Sequence, residues 1–292
     1  MFVCIQLKRI FCYLLVFSTI IITSFITITQ TTPAQASVHS VKLAVIMYHG
    51  LVKEKTYQNE YMIDPEYFEQ DLKYLKDNGY HTIWISELID YFENGKELPE
   101  NPVLLTFDDG YYNNYTYAYP LLKKYGSKAV ISPIGITADS AMTEKDKSSI
   151  YSQCSWTELK EMVNSGYVEL QNHTYNLHHL DKGRKGAAAK PGELSDEYEK
   201  ILTEDLTTLS NKMYQNIGVK PQAFVYPFGA KSETSLNIIK KLGYKAALDC
   251  EEKLNLLNSK DDLYTIHRFL RPNNMSSKEF FENTVDIGST KN

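Results

Sequence analysis

The sequence predicts an α/β protein built as a distorted (β/α) barrel of about seven parallel strands. Short apolar runs alternate with helix-period segments along most of the chain, the mark of parallel βαβ units. The conspicuous polar residues His49, Asp108, Asp109 and His173, and the Pro227-Phe228-Gly229 turn, fall at C-terminal ends of strand candidates. Parallel barrels gather their chemistry there. About seven such units favour a closed or partly closed barrel over an open doubly wound sheet. No GxGxxG follows the first strand, so no dinucleotide site is expected.

The elements follow in order from residue 41. "KLAVIMYHG" is a strand ending at Gly50, and "DPEYFEQDLKYLKDNGY" is a helix with Asp64 as N-cap, Pro65 at its first position and Gly79 closing it. Tyr67, Phe68, Leu72 and Leu75 form its apolar stripe. Strand "HTIWI" precedes helix "ELIDYFENG", with Ser86 as cap. Strand "PVLLTF", helix "YAYPLLKKYG" and strand "KAVISPIG" come next, and residues 137–153 form a polar excursion. "SWTELKEMVNSG" carries the Ser155 and Glu158 spacing of a capping box and leads to strand "YVELQNH". Residues 181–194, small, basic and glycine-containing, are expected to form a mobile surface loop. A helix over 195–217, strand "AFVYPFG", helix "SETSLNIIKKLG", strand "YKAALD" and the extended piece "LYTIHRFLRP" complete the pattern.

Composition narrows the class without naming a partner. The 292 residues are 43% hydrophobic and 23% charged, with 14 Gly and 10 Pro, which is ordinary for a globular chain with a sizeable core. A net charge of −5 offers no basic footprint for nucleic acid. At the N-terminus, Lys8 and Arg9 precede a long apolar run, and Ala34-Gln35-Ala36 gives a small-x-small cleavage pattern. Residues 1–36 are therefore expected to be a signal peptide or, uncleaved, a membrane anchor. The remaining residues, 37–292, would be one catalytic domain working outside the cytoplasm, extracellular or at the cell surface. The leader holds two cationic and no acidic residues, so its removal takes the charge to −7. Membrane contact is expected only through that segment. Of four cysteines, only Cys154 and Cys250 lie beyond it; a disulfide between them is open, and neither has CxxC spacing.

The adjacent Asp108 and Asp109 admit two readings: an Asp-Gly turn ending a strand, or a pair serving a cation and a proton transfer. Partners decide between them. His39 and His81 are expected to be structural or solvated. His173 and His178 are five apart, which on a helix would separate them by about 140°, but a loop leaving a strand lets both imidazoles converge. His179 is an alternative to His178. Two imidazoles and one carboxylate make a three-ligand set with open positions, the construction of hydrolytic zinc sites.

"TFDDG", "NHTYNLH" and "YPFG", in this order, resemble the motifs of the polysaccharide deacetylases, carbohydrate esterase family 4. "MYHG" followed by "FEQDLKYLKDNGYHTIWISEL" is similar to the circularly permuted branch that contains the biofilm poly-N-acetylglucosamine deacetylases. The resemblance spans residues 43–270. It implies that Asp109, His173 and His178 hold a divalent metal, Zn2+ first, with Co2+, Ni2+ or Mn2+ suiting the same donors. It implies Asp108 as general base, His49 as general acid, and the backbone N–H of Phe228 as an oxyanion donor. Many relatives carry an arginine just before the third motif, where this chain reads Val225-Tyr226; Arg268 is the candidate to orient Asp108. His267 alternates to the opposite face. Tyr111, Tyr112, Tyr226, Pro227 and Arg268 are the expected substrate neighbours. The implied activity is removal of N-acetyl groups from N-acetylglucosamine in poly-N-acetylglucosamine, peptidoglycan or a chitin-like polymer. An O-acetyl esterase and a catalytically silent carbohydrate-binding barrel are the alternatives.

Overall fold

Strand side chains alternate between two faces, and here the two faces have different fates. A computed structural model describes residues 39–141, 147–181 and 183–288. Val41–Tyr48 (β1) pairs in parallel with Pro102–Asp109 (β2), and the order continues through Ala129–Pro133 (β3) to Val168–Leu170 (β4). A bridge between Asn172 and Phe224 joins Ala223–Val225 (β5), which pairs with Ala246–Leu248 (β6). A bridge between Leu248 and Ile266 leads to Phe269–Leu270 (β7), which pairs in parallel with β1. Seven parallel strands thus close a ring, as the alternating pattern predicts. The distortion lies at the seams after β4 and β6, where isolated bridges replace ladders. His81–Ile83 lies parallel beside the start of β2, and Asn255–Leu257 antiparallel beside the start of β1.

One face of the ring is interior. Leu43, Val45, Leu104, Val130, Ala223, Val225, Ala246, Leu248 and Ile266 pack together with Ile85, Leu88 and Ile89 of the helix Ile85–Asn94. The alternate residues, such as Ala44, Ile46, Val103, Leu105, Phe107 and Ile131, pack outward against helices. Continuing each alternation past the apolar layer puts His49, Asp108, His173, Cys250 and Arg268 on the interior side. Tyr226, Asp249 and His267 fall on the exterior side.

The expected caps are present at Pro65–Asp77, where Asp64 accepts from the Glu66 N–H at 3.0 Å, and at Trp156–Asn164, where Glu158 accepts from the Ser155 N–H at 2.6 Å. The helix expected after Ser86 instead begins at Ile85. Trp84 takes the cap position, its N–H donating to Glu87 at 2.9 Å, and Ser86 lies in the first turn.

In the segment expected to be a mobile loop, 181–194, the described residues are fastened. Leu180–Asp181 and Arg184–Lys185 form a short hairpin, and a buried Arg184–Glu193 ion pair closes its base. Arg184 also donates to the Ala188 carbonyl at 2.8 Å, and Tyr198 donates to that of Ala187 at 2.7 Å. A glycine-rich stretch reads as loose in sequence because its fastenings are long-range. Cys154 and Cys250 are both free thiols, so the open disulfide is not formed. The expected leader, residues 1–36, lies outside the described residues. Among those described, no helix is long and apolar enough to cross a membrane.

Candidate active site

A cleft of about 640 Å³ opens at the C-terminal ends of the strands, lined by His49, Asp108, Asp109, Tyr111, His173, His178, Phe228 and Cys250 among others. Backbone geometry assembles it. Asp108 ends β2 on the interior side, so Asp109 should point out; instead it adopts a left-handed φ of 68°. Such a φ is uncommon for a residue with a side chain. It breaks the alternation and lets neighbouring aspartates serve one site. Gly110 continues the turn at φ 77°, where a Cβ would lie 2.8 Å from Pro133.

The two carboxylates have opposite surroundings. Both Asp108 oxygens accept from the Arg268 guanidinium, at 2.8 and 2.9 Å, in a fully buried fork. Arg268 is held by the Asp249 carbonyl at 2.8 Å and lies near Thr106 and Cys250. Burial opposes the Asp108 charge, but Arg268 and His173 more than offset it and hold the carboxyl well below the usual range. Asp109 Oδ1 lies 3.5 Å from His173 Nε2 and 3.3 Å from His178 Nε2, without hydrogen-bond geometry to either. It is a buried acceptor with no partner, and such atoms are costly to leave bare.

His173 donates or accepts through Nδ1 at the Val225 carbonyl, 2.8 Å away. A carbonyl only accepts, so Nδ1 carries a proton and donates, which turns Nε2 toward Asp109. Ligand-type atoms of Asp109, His173 and His178 all lie within 4.8 Å of one another. A carboxylate and two imidazoles, with an orphaned oxygen between them, fit a divalent cation in both charge and donor type. It is His178, and not the adjacent His179, that shares this cluster.

His49 is half-buried, and its Nδ1, itself shielded from solvent, has no hydrogen-bond partner. Burial lowers its pKa against the pull of Asp108 and Asp109. Tyr61 stands edge-on to it at 4.9 Å. Phe228 sits at φ 56° in the turn after β5, with its ring 4.5 Å from that of His178.

The expected substrate neighbours divide. Tyr111 lines the cleft, where burial and the facing Asp109 carboxylate raise its phenol pKa. Tyr112 does not: it stacks on Tyr115 at 5.8 Å beneath the Lys147 ammonium. Tyr226 is 1% exposed, packed on Phe224, with its hydroxyl bonded to Ser235 at 3.2 Å. The exterior parity of β5 sends it into the helix layer. Pro227 is buried beside it. Arg268 is fully buried, so it holds Asp108 and does not reach the cleft.

Comparison with known proteins gives the family. The family model described as polysaccharide deacetylase matches residues 95–247. This chain belongs to the polysaccharide deacetylase family. A poly-β-1,6-N-acetyl-D-glucosamine N-deacetylase of Staphylococcus aureus strain MSSA476 is 31% identical over 210 residues, covering 72% of this chain and 68% of that one. The Escherichia coli K12 protein of the same name is 27% identical over 263 residues. The match covers 83% of this chain but only 38% of the E. coli protein's length. Among solved structures, IcaB from Ammonifex degensii superposes with a TM-score of 0.66 at 29% identity, covering 79% of this chain and 91% of that one. A de-N-acetylase from Aggregatibacter actinomycetemcomitans gives 0.68 at 28% identity, covering 82% and 96%.

In this family member, several cleft residues carry no mark in the sequence. Tyr61 comes from a polar stretch without periodicity. Leu180 and Lys185 come from the hairpin that reads as a loose loop, and Glu252 from an acidic run. Cys250 was identifiable only as a cysteine just beyond a strand. Its place in the wall follows from the β6 alternation.

Proposed function

We propose that this chain is an exported hydrolase that removes N-acetyl groups from N-acetylglucosamine residues of a polysaccharide with the help of a divalent metal, zinc first. The partnerless Asp109 oxygen between two imidazoles, beside an Asp108 held ionised by Arg268, is the observation that carries it. Asp109, His173 and His178 would hold the ion. Bound there, a divalent cation supplies Lewis acidity, easing the loss of a proton from water and polarising the acetyl carbonyl.

The chain's own residues supply the rest. Asp108 accepts the proton of the attacking water, its two fork bonds to Arg268 leaving other lone-pair sites open toward the cleft. The fork keeps Asp108 ionised and fixes its direction. His49, with no protein partner at Nδ1, would act as the imidazolium: having taken a proton from solvent, it delivers it to the departing nitrogen so that an amine rather than an amide anion leaves, and is left neutral. The Phe228 N–H supports the charge that develops on the carbonyl oxygen. Tyr111 lines the approach to Asp109 and is a candidate contact for the sugar.

The names of the E. coli and S. aureus relatives favour poly-β-1,6-N-acetylglucosamine as the polymer. Peptidoglycan and chitin-like polymers offer the same reacting group. Residues 37–292 would form the catalytic domain, and residues 1–36 the leader that carries it out of the cytoplasm. Acetate release from acetylated β-1,6-glucosamine oligomers, with and without a chelator, tests the reading. Chelator-sensitive release that zinc restores is expected; release unaffected by metal removal would overturn the metal's role, and none on any N-acetylated polymer the activity.

A further inference from the structure

The short loop carrying both imidazoles is strained and is held from outside. Thr174, directly after His173, has a φ of 72°. For a β-branched residue this is a true outlier, of the kind that persists only where surrounding contacts impose it. Its own N–H donates to Asn172 Oδ1 at 2.9 Å. Two further anchors grip the loop. On one side, the Thr174 and Tyr175 carbonyls accept from the Gly135 and Ile136 N–H groups at 3.1 and 2.9 Å. On the other, the Tyr175 and Asn176 N–H groups donate to the two carboxylate oxygens of Asp205, at 2.7 and 2.8 Å.

Asp205 lies on the helix Ser195–Ile217, whose Leu202, Leu206 and Leu209 are fully buried. Helical spacing puts Asp205 at the edge of that apolar stripe, where a carboxylate is out of place unless it is used. Its hydrogen-bond partners are two consecutive amides of the loop. A carboxylate suits that task because it offers an acceptor to each amide. An Asn there would offer one acceptor and set its NH2 against the second amide donor.

We propose that Asp205 is a positioning residue that sets the path of the 174–177 loop, so that His178 returns to within reach of Asp109 and His173. The inference rests on the reading of those three residues as a metal site. It adds a residue that touches neither metal nor substrate and comes from a distant helix. Its effect runs through the ligand set, as outer contacts to metal ligands act elsewhere.

The test uses the full chain, stripped of metal, with zinc affinity measured by competition against a chromophoric chelator. Wild type, Asp205→Asn, Asp205→Ala and His178→Ala are compared. The melting temperature of each metal-free protein and the visible spectrum of each cobalt-loaded one are recorded beside it. Asp205→Asn is expected to weaken zinc about tenfold or more and to alter the cobalt spectrum. Asp205→Asn is the deciding variant if Asp205→Ala does not fold. Zinc affinity within about threefold of wild type and an unchanged cobalt spectrum in Asp205→Asn, with His178→Ala clearly weakened, would overturn the role of Asp205 alone; so would a lower melting temperature as its sole effect. If wild type binds no zinc, or His178→Ala binds as tightly as wild type, the metal site itself falls and this inference with it.

Discussion

Among the described residues, two groups of ligand-type side chains sit near the mouth of this barrel, and they differ in what already pairs with their carboxylates. Asp109, His173 and His178 converge in the cleft, while Asp249, Glu251 and His267 converge on the outer side of the strand ends. Each group brings its donor atoms within 4.8 Å. In the outer group the Asp249 carboxylate already has partners: Lys231 pairs with Oδ2, and Oδ1 accepts from the Glu251 N–H and faces His267 Nδ1, both at 3.0 Å. In the inner group no lysine or arginine pairs with Asp109 among the described residues, and its Oδ1 has no hydrogen-bond partner. Proximity of carboxylates and imidazoles is therefore a weak signal. An acceptor left bare in a buried site, between two imidazole nitrogens that face it, is a stronger one.

The contrast can be broken by substitution, and the largest effect is expected at Asp109. Asp109→Ala should weaken zinc by at least about a hundredfold, because the loss of a direct ligand exceeds that of an outer contact. Asp249→Ala should leave zinc affinity unchanged. Metal analysis of both purified variants checks this, and equal zinc loss from the two would erase the distinction drawn here.

Asp108→Asn should retain zinc while acetate release falls about 10²–10⁴-fold, the range for removal of a general base. Turnover and metal content measured on one preparation separate these effects. Normal turnover at full metal loading would remove Asp108 from the mechanism.

Arg268→Met leaves a buried carboxylate without its partner and should cost about 3–5 kcal/mol of stability, read by urea unfolding. The sign with pH follows from the depressed Asp108 pKa. A carboxylate whose folded value lies below its unfolded one stabilises fully above the unfolded value, about 3.9. That contribution fades only as pH falls toward the folded value. The stability gap between wild type and Arg268→Met should thus be full at pH 7 and pH 5 and shrink only under stronger acid. A gap that closed by pH 5 would contradict the ionised fork. The smallest effect is expected on the outer group: Lys231 is 40% exposed, so Lys231→Met should cost less than about 1 kcal/mol and leave zinc affinity untouched.

Much of this was legible in the sequence, and particular residues show why. Strand alternation already separated Arg268 from His267, and the strand pattern put Asp108 and Asp109 at a C-terminal strand end. The three motifs named the family, and the same motifs named the residues now found around one cleft. Tyr226 shows the limit of motif adjacency: being next to Pro227 in sequence put it near the turn, but its strand parity turned it into the helix layer. The 181–194 segment shows another limit. Its glycines and lysines describe local freedom, while Arg184–Glu193 and Tyr198–Ala187 are contacts that local composition does not encode.

The sequence by itself determined the order of strands and helices and the ends at which polar residues collect, because these depend on spacing along one chain. Only the tertiary structure decided that β7 returns to β1, that Asp109 breaks its strand's alternation, and that Arg268 and Asp205 reach across to the site from distant segments. Those outcomes depend on closing the ring. Closure brings together groups far apart in sequence and lets their combined contacts hold backbone conformations, at Asp109 and Thr174, that neither residue would adopt alone.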